Sequence, residues 1–315
     1  MLPEPVTENS LDTDREDLDE SGDRYLRDAD GNDASAGDRV LEWRFSLAGV
    51  GIKLSMLTKE SRLTMPAHGE FGDWIVKLPH QVFRNLPQNE FGMMKLASLL
   101  GVDVPEIRLV SREDLGLDFK YWRSNEEFAY ATRRFDRSPD GGRIHIEDLA
   151  QVRGFYPDDK YLGNYETVAS NFFRGRDEAA LIEFIRRLTL NVLIENSDAH
   201  LKNWSLIYSD PRTPTIAPAY DIASAAPYDD ILDKEKDLAL KWANSHRYVR
   251  FTLSSVEHLE HRLHAKGLGL ADVARETAIR AAEFWPRVRD ELNAASAVLE
   301  GIDAAIDRQS RRLLG

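Results

Sequence analysis

One polar stretch in the second half of the chain, NSDAHLKN, most constrains what this sequence can fold into. Its side chains combine a carboxylate, an imidazole, an ammonium and an amide: Asp198, His200, Lys202 and Asn203. A second carboxylate, Asp221, follows after a short apolar segment. Phosphoryl transfer from a metal-bound nucleotide needs such a set, because one carboxylate orients the attacking hydroxyl while amide and carboxylate oxygens hold Mg²⁺. The stretch therefore indicates a candidate phosphotransfer site.

The segments around this stretch predict how it is presented. Apolar residues recur at helical spacing over 178–194, which predicts an amphipathic helix. Residues 204–208 are a short apolar run typical of a strand, and turn residues follow at 210–214. The predicted hairpin brings Asp221 back beside Asn203. Protein kinases present a catalytic loop and a metal-binding aspartate in this order of helix, polar loop, hairpin and acid.

The polar cluster is also compatible with two alternatives. An aspartate in a loop is commonly a turn or helix-cap residue. Asp198, His200 and Asp221 could instead be the ligands of a metallohydrolase, although transition-metal sites usually recruit more histidines. The whole chain contains eight histidines, and no second one lies at ligand spacing from His200.

Charge and composition divide the chain. The first 38 residues hold thirteen acids and three arginines. Such a segment buries too little apolar surface to fold, so residues 1–40 are predicted to be an acidic disordered tail.

No basic patch stands out, so direct nucleic-acid binding is not expected. The chain has no cysteine, no signal-peptide pattern and no run of about 18 apolar residues, which predicts a cytoplasmic protein without a membrane segment.

A glycine pair near the start of the predicted ordered region lies between two short predicted strands. Gly49 and Gly51 make this connection flexible, and its backbone N–H groups could cover phosphates. An ordinary β-turn is the alternative, because a GxG pattern alone is a weak signal.

A lysine and an acid follow at a spacing typical of nucleotide sites. Lys77 lies among apolar neighbours in the strand predicted over 72–79, and Glu90 lies in the first turn of the helix predicted over 89–100. Such a lysine reaches α- and β-phosphates when an acid on a neighbouring helix fixes it. The alternatives are a solubilising edge lysine and an acid that complements the helix dipole. Gly101 is the predicted stop of this helix.

With these motifs in place, the chain resembles the HipA family of bacterial serine/threonine kinases, the toxins of type II toxin–antitoxin systems. The resemblance covers roughly residues 45–250 and is closest to the short form of the family. It implies an α+β, two-lobed protein-kinase-like fold, with a small β-rich N-lobe over 41–140 and a mainly helical catalytic C-lobe over 141–315. The matching blocks are SLAGVGIKLSM, GDWIVKLP, NEFGMMKLASLLGVDVPE, RRFDR, IHIEDLAQV, NSDAHLKNWSL and APAYDIAS.

The resemblance also implies roles for single residues. Asp198 corresponds to the catalytic base, supported by His200 and Lys202. Asn203 and Asp221 correspond to the Mg²⁺ ligands. The residues that the resemblance places at bound ATP are Lys77 with Glu90 at the phosphates, Ser46, Gly49 and Gly51 in the phosphate-covering loop, and Arg134, Phe135 and Asp136 at the adenine-binding hinge.

At the level of function, the resemblance implies an ATP·Mg²⁺-dependent kinase that inhibits growth by phosphorylating a translation component such as an aminoacyl-tRNA synthetase. Ser46 corresponds to a serine that family members can autophosphorylate, and the expected partner is a DNA-binding, HipB-like antitoxin. Two alternatives remain: a small-molecule or lipid kinase, and a catalytically inactive kinase-fold binding module. Phosphate found on protein rather than on metabolites would favour the protein kinase over the small-molecule or lipid kinase. An Asp198→Ala variant that stays toxic would indicate the inactive binding module.

Overall fold

Backbone contacts divide the chain into two units, Met1–Ser46 and Leu47–Gly315. The first unit lies wholly outside the residues that the structure describes, and with it the predicted acidic tail and Ser46; Gly49 and Gly51 lie outside them as well. The predicted lobe boundaries therefore stay predictions. The structure, a computed structural model, describes residues 52–59, 62–66, 71–115, 122, 124–138, 140–228, 230 and 237–315.

The first half forms an antiparallel sheet with one long helix against it. Burial alternates along the first and third strands, as expected for strands with one face toward the core. In the sheet the strands lie in the order β2-β1-β3-β5-β4, and helix α1 packs against β4 and β5. The elements are β1 (Lys53–Lys59), β2 (Arg62–Thr64), β3 (Trp74–Lys77), α1 (Leu86–Leu99), β4 (Ile107–Ser111), α2 (Arg112–Leu115) and β5 (Phe128–Arg133).

Helix α1 begins three residues before its predicted start. Pro87 lies in its first turn, where a missing N–H costs nothing and the fixed φ suits a helix. Glu90 therefore lies in the second turn rather than the first, away from the helix dipole's positive end, which corrects the predicted position. The predicted stop is confirmed: Gly101 adopts φ +83° directly after the helix, a conformation that glycine reaches without strain.

The second half adds a small sheet and a set of helices. The helix and the hairpin predicted over 178–216 are confirmed, because a 16-residue helix, α5, leads through the polar stretch to an antiparallel strand pair. The sheet has the order β6-β7-β8. The elements are β6 (His145–Asp148), α3 (Leu149–Val152), α4 (Tyr165–Phe173), α5 (Glu178–Leu193), β7 (Ser205–Tyr208) and β8 (Thr215–Ile216).

Three helices close the chain: the second and third pack against α5, and the first packs against the second. Among the described residues no helix is both long enough and apolar enough to cross a membrane. The hydrophobic core extends from α1 through α4 and α5 into these helices, so one packed interior supports both the sheet and the polar stretch. The helices are α6 (Leu253–Arg262), α7 (Leu270–Asp290) and α8 (Ser296–Leu314).

We expect Gly301→Ala to destabilise the protein. A β-carbon at this position would lie 2.9 Å from Pro227 Cα, in the short 3₁₀ helix Ala226–Tyr228. Helix propensity alone would favour alanine by roughly 0.5–1 kcal/mol. The clash should outweigh it and lower the free energy of unfolding by about 1–3 kcal/mol, measured by urea denaturation.

The control is Ala304→Gly at an exposed site of the same helix. It should lower the free energy of unfolding by about 1 kcal/mol through propensity alone. A Gly301→Ala variant more stable than the parent would contradict the packing argument.

Candidate active site

The centre of the candidate site is a partly buried lysine between two carboxylates. Lys77 lies at the end of β3, and its ammonium donates hydrogen bonds to Glu90 Oε1 and Asp221 Oδ1. The side chains of Lys77 and Glu90 are 16% and 6% exposed. The structure therefore brings together a lysine from a strand, an acid from a helix and the acid after the hairpin. The first and last of these, Lys77 and Asp221, lie 144 positions apart in the chain.

Each of the three groups carries a shifted pKa. Burial alone would lower the pKa of Lys77, but the charges of Asp221 and Glu90 raise it above its ordinary value. Burial would raise the pKa of Asp221, yet Lys77 and Lys53 hold it well below the usual range. Burial raises the pKa of Glu90, and Lys77 opposes this only in part. Asp221 is therefore an ionised carboxylate at neutral pH, as a metal ligand must be.

A second lysine faces the same carboxylate. Lys53 Nζ lies 3.7 Å from Asp221 Oδ2. Lys53 and Lys77 are directly opposed in the antiparallel pairing of β1 and β3, so their side chains leave the same face of the sheet. Sequence reasoning missed Lys53, because only the strand register shows that the two lysines converge.

A buried amide ties helix α1 to the segment behind Asp221. Asn89 donates from Nδ2 to the Ser224 carbonyl at 2.8 Å and accepts from the Ser224 N–H at 2.9 Å. The hydroxyl of Ser224 donates to the carbonyl of Ile194, just beyond α5, at 2.7 Å. The helix that carries Glu90 and the segment that carries Asp221 are thus joined by paired hydrogen bonds. No sequence signal distinguishes Asn89 from an ordinary polar residue of a helix.

The polar stretch folds into a tight loop that presents Asp198 to solvent. The Asp198 carbonyl accepts from the His200 N–H and from Asn203 Nδ2, both at 2.8 Å. The Asp198 N–H donates to Asn196 Oδ1 at 3.1 Å. The Asp198 side chain is 62% exposed. The loop is therefore built by its own backbone and amides, which leaves the carboxylate accessible to another molecule.

Tyr161 makes a contact with this carboxylate that sequence reasoning missed. Its hydroxyl donates to Asp198 Oδ1, and its ring meets the His200 ring edge-on, with centroids 5.1 Å apart. The carbonyl of the preceding residue, Lys160, accepts from the Leu201 N–H at 3.0 Å. The segment before α4 thus braces the loop, although the chain positions are 37 residues apart.

His200 and Lys202 have supporting positions in the loop. His200 is buried, its Nδ1 has no hydrogen-bond partner among the described residues, and its Nε2 lies 3.7 Å from Asp198 Oδ1. Burial lowers the pKa of His200, and the nearby Asp198 charge opposes this only in part, so the ring is neutral at pH 7. The Lys202 carbonyl accepts from the Tyr220 hydroxyl at 2.9 Å; any role of the Lys202 ammonium stays a prediction.

Two oxygen ligands suited to Mg²⁺ line one small cavity. Asn203 and Asp221 both face it, and because Asn203 Nδ2 is engaged by the loop, its Oδ1 is the atom available to a cation. Carboxylate and amide oxygens suit Mg²⁺, which commonly takes one or two protein ligands and completes its shell with phosphates and water. Among the described residues no three His, Asp or Glu side chains are grouped as metal ligands, so Asp198, His200 and Asp221 do not form the metallohydrolase set.

The predicted hinge is only partly available to an adenine base. The Arg134 N–H donates to the Asp73 carbonyl at 2.8 Å, and the Asp136 carbonyl accepts from the Ile144 N–H at 3.0 Å. Within the described part of the chain, Phe135 has both backbone groups without a hydrogen bond. Its ring lies 5.8 Å from that of Tyr220, next to Asp221. Of the three predicted hinge residues, Phe135 is therefore the one whose backbone groups are both available to an adenine base. Arg134 and Asp136 pair with each other through their side chains.

Comparison with known proteins identifies relatives. The profile of the HipA-like C-terminal domain matches residues 45–292. Y4dM, a candidate kinase of Sinorhizobium fredii, is 41% identical over 265 residues, which cover 82% of this chain and 64% of that protein. The serine/threonine-protein kinase toxin HipA of Shewanella oneidensis is 28% identical over 225 residues, which cover 62% of this chain and 46% of that protein. The chain thus spans about half to two thirds of these relatives.

Solved structures confirm the predicted α+β kinase-like fold. HipA of Shewanella oneidensis, from a complex with HipB and operator DNA, matches with a TM-score of 0.70 at 22% identity, over 86% of this chain and 66% of that chain. The proinflammatory kinase CtkA of Helicobacter pylori matches with a TM-score of 0.57 at 15% identity, over 85% of this chain and 90% of that chain. At these identities the likeness concerns the fold.

We expect Lys77→Met to make the protein lose stability more steeply than the parent as the pH rises from 5 to 8. In the parent, the pKa of Asp221 is below its unfolded value, so its contribution is present above pH ~4 and is lost as the pH falls through the folded pKa. Without the ammonium, Glu90 and Asp221 face each other, and the folded pKa of one carboxyl rises above its unfolded value. The variant should then be stable near pH 5 and lose roughly 3–5 kcal/mol relative to the parent by pH 8.

Thermal unfolding at pH 5, 6.5 and 8 measures this slope. Lys95→Met is the control, because it removes a lysine from an exposed pair with Glu291 and should leave the slope unchanged. A Lys77→Met variant that folds at pH 5 but not at pH 8 would agree with the expectation. Parallel plots of stability against pH for the parent and the variant would disprove it.

Proposed function

The chain belongs to the HipA-like kinase family, and on this premise we propose that it is an ATP·Mg²⁺-dependent protein serine/threonine kinase. The observation that carries the proposal is the Lys77 ammonium held between Glu90 and Asp221. Kinases use a strand lysine paired with a helix acid to hold α- and β-phosphates beside a metal-binding aspartate. The same three groups converge here from β3, α1 and the segment after β8.

The chain's own residues divide the work of phosphoryl transfer. In the proposal, Lys77 binds the nucleotide phosphates, and Glu90 keeps the ammonium oriented. The Phe135 backbone binds the adenine edge, and Ser46, Gly49 and Gly51 belong to the loop that covers the phosphates. Mg²⁺, held by Asn203 and Asp221, would neutralise charge that develops on the phosphoryl group.

Asp198 is proposed to orient the hydroxyl of the acceptor. Its carboxylate is exposed, and one of its oxygens, Oδ1, is engaged by Tyr161. The other oxygen can accept the hydrogen bond of a serine or threonine hydroxyl and take its proton as the phosphate bond forms. The neutral His200 ring packs beneath this group and positions the loop without adding charge. Lys202 is proposed to approach the transferred phosphate.

The biological role is proposed from the relatives. HipA of Shewanella oneidensis was solved with HipB and operator DNA, and the homologous toxin is named a serine/threonine-protein kinase. We propose that this chain likewise acts as a growth-inhibiting toxin with a HipB-like antitoxin. Its target would be a translation component such as an aminoacyl-tRNA synthetase, in the cytoplasm. A metabolite kinase or an inactive binding module is the alternative.

We expect Asp198→Ala to slow phosphotransfer strongly while nucleotide binding persists. Purified protein incubated with ATP and Mg²⁺ should gain phosphate, detected by intact mass spectrometry and mapped to Ser46 or to an added protein substrate. The variant should be slower by roughly 10²–10⁴-fold, because it loses the group that orients and deprotonates the acceptor.

Asp158→Ala is the matched control, since Asp158 is an exposed acid in the neighbouring segment 157–159. It should keep full activity. Nucleotide binding without phosphotransfer in the parent would favour the inactive module, and phosphate found only on small molecules would favour the metabolite kinase.

We expect Tyr161→Phe to lower kcat by roughly 3- to 10-fold without changing KM for ATP. The substitution keeps the ring against His200 but removes the hydrogen bond to Asp198 Oδ1. A hydrogen bond to a charged group contributes about 1.5–3 kcal/mol when it is buried and less at a half-exposed site. Initial rates at saturating and limiting ATP separate the two constants.

Tyr156→Phe serves as control, because Tyr156 is 79% exposed in the same segment, and its kinetics should match those of the parent. A higher kcat in Tyr161→Phe would show instead that the hydroxyl obstructs the acceptor.

A further inference from the structure

A basic pocket lies beside the segment that follows β5. It has a volume of about 360 Å³, and three arginines, one aspartate and one histidine provide its polar lining: Arg134, Arg137, Arg143, Asp136 and His145. With His145 neutral, these groups carry a net charge of +2. Sequence reasoning missed the pocket, because the short segment 134–145 contains acids as well and shows no run of basic residues.

A small hairpin places two of the arginines side by side. Arg137 and Arg143 are opposed in an antiparallel bridge. The hairpin is closed by the Ile144 N–H, which donates to the Asp136 carbonyl, and by the Ser138 N–H, which donates to the Gly142 carbonyl, both at 3.0 Å. Directly opposed residues project from the same face of a strand pair. The side chains of Arg137 and Arg143 therefore leave the same face of the hairpin.

One carboxylate serves two of the three arginines. Asp136 accepts from Arg134 Nε at 2.9 Å and Nη2 at 2.6 Å, and from Arg137 Nη1 at 2.8 Å. These side chains are at most 17% exposed. Arg143 instead stacks on the ring of Phe71, with its guanidinium carbon 4.1 Å from the ring centroid. Among the described residues, the positive charge of this cluster therefore exceeds its negative charge.

A buried donor in the cluster lacks a partner. Arg137 Nε makes no hydrogen bond among the described residues. Burial, with the neighbouring charges of Arg134 and Arg143, lowers the pKa of Arg137. A buried donor without a hydrogen bond loses its hydration without compensation, which is unfavourable. An anion bound in the pocket would satisfy this donor and relieve the repulsion between the guanidinium groups.

The pocket is distant from the place where Lys77 would hold nucleotide phosphates. Lys77 is paired with Tyr130 across β3 and β5, and Arg134 lies four residues further along the chain. At about 3.3 Å per residue, the backbone positions of Tyr130 and Arg134 are roughly 13 Å apart. A phosphate at the arginines therefore belongs to a ligand group other than the one that Lys77 contacts.

We propose that this pocket is a separate binding site for a phosphate monoester dianion. The net charge of +2 matches a dianion, and planar guanidinium groups bind phosphate oxygens in pairs with defined geometry. The volume accommodates a phosphate together with the small group that bears it. The ligand is either a free phosphate compound or a phosphorylated protein side chain, which share this chemistry. The inference does not depend on kinase activity.

Isothermal titration of the full chain with inorganic phosphate and with O-phosphoserine, without nucleotide or metal, tests the proposal. We expect saturable binding that sulfate displaces and acetate does not. Arg143→Gln, an exposed substitution, should weaken binding at least tenfold with an unchanged Tm, and Arg143→Lys should restore part of it because the charge returns without the planar fork.

Arg153→Gln is the matched control, because Arg153 also stacks on a phenylalanine, Phe155, at 4.4 Å, outside the pocket. It should bind phosphate as the parent does. Tighter binding of O-phosphoserine would identify a phosphorylated side chain as the ligand, and tighter binding of inorganic phosphate a free anion. No saturable binding, or equal losses in Arg143→Gln and Arg153→Gln, would overturn the proposal.

Discussion

The ion network of Lys77, Glu90 and Asp221 is the interaction on which the rest of the site depends. A buried ammonium is tolerated only where carboxylates compensate its lost hydration, and here the two carboxylates come from separate elements. The network therefore joins sheet, helix and hairpin segment at one point. It also sets the charge states: the pKa shifts keep Lys77 protonated and Asp221 ionised over the neutral range, which phosphate and cation binding require.

Neutral hydrogen bonds hold the surrounding elements in place. Asn89 pairs with both backbone groups of Ser224, so α1 cannot shift relative to the Asp221 segment without leaving buried polar groups unpaired. On the other side, Tyr161 contacts Asp198 and His200. Asp198 thus faces solvent from a braced loop, whereas Asp221, the proposed metal ligand, lies against two partly buried lysines. Two carboxylates with different surroundings can in this way perform different tasks.

In the two proposals, the segment after β5 takes part in two kinds of recognition. Its backbone at Phe135 is available beside the proposed nucleotide cleft, while the side chains of its neighbours turn toward the basic pocket. The same short hairpin can therefore contact a nucleotide with main-chain groups and an anion with guanidinium groups. Because Asp136 pairs with Arg134 and Arg137, it orders both arginines before any ligand arrives, which lowers the entropic cost of binding.

Local sequence patterns predict the secondary-structure elements and the set of side chains that the polar loop carries. Helical periodicity over 178–194, the hairpin after it and the stop at Gly101 all depend on neighbouring residues, and the structure agrees with them. Which side chains meet depends instead on how distant segments of the chain pack. Lys53 faces Asp221 through strand register, and Tyr161 reaches Asp198 across 37 positions. Such contacts depend on packing between distant segments, and local patterns in one sequence carry no information about it.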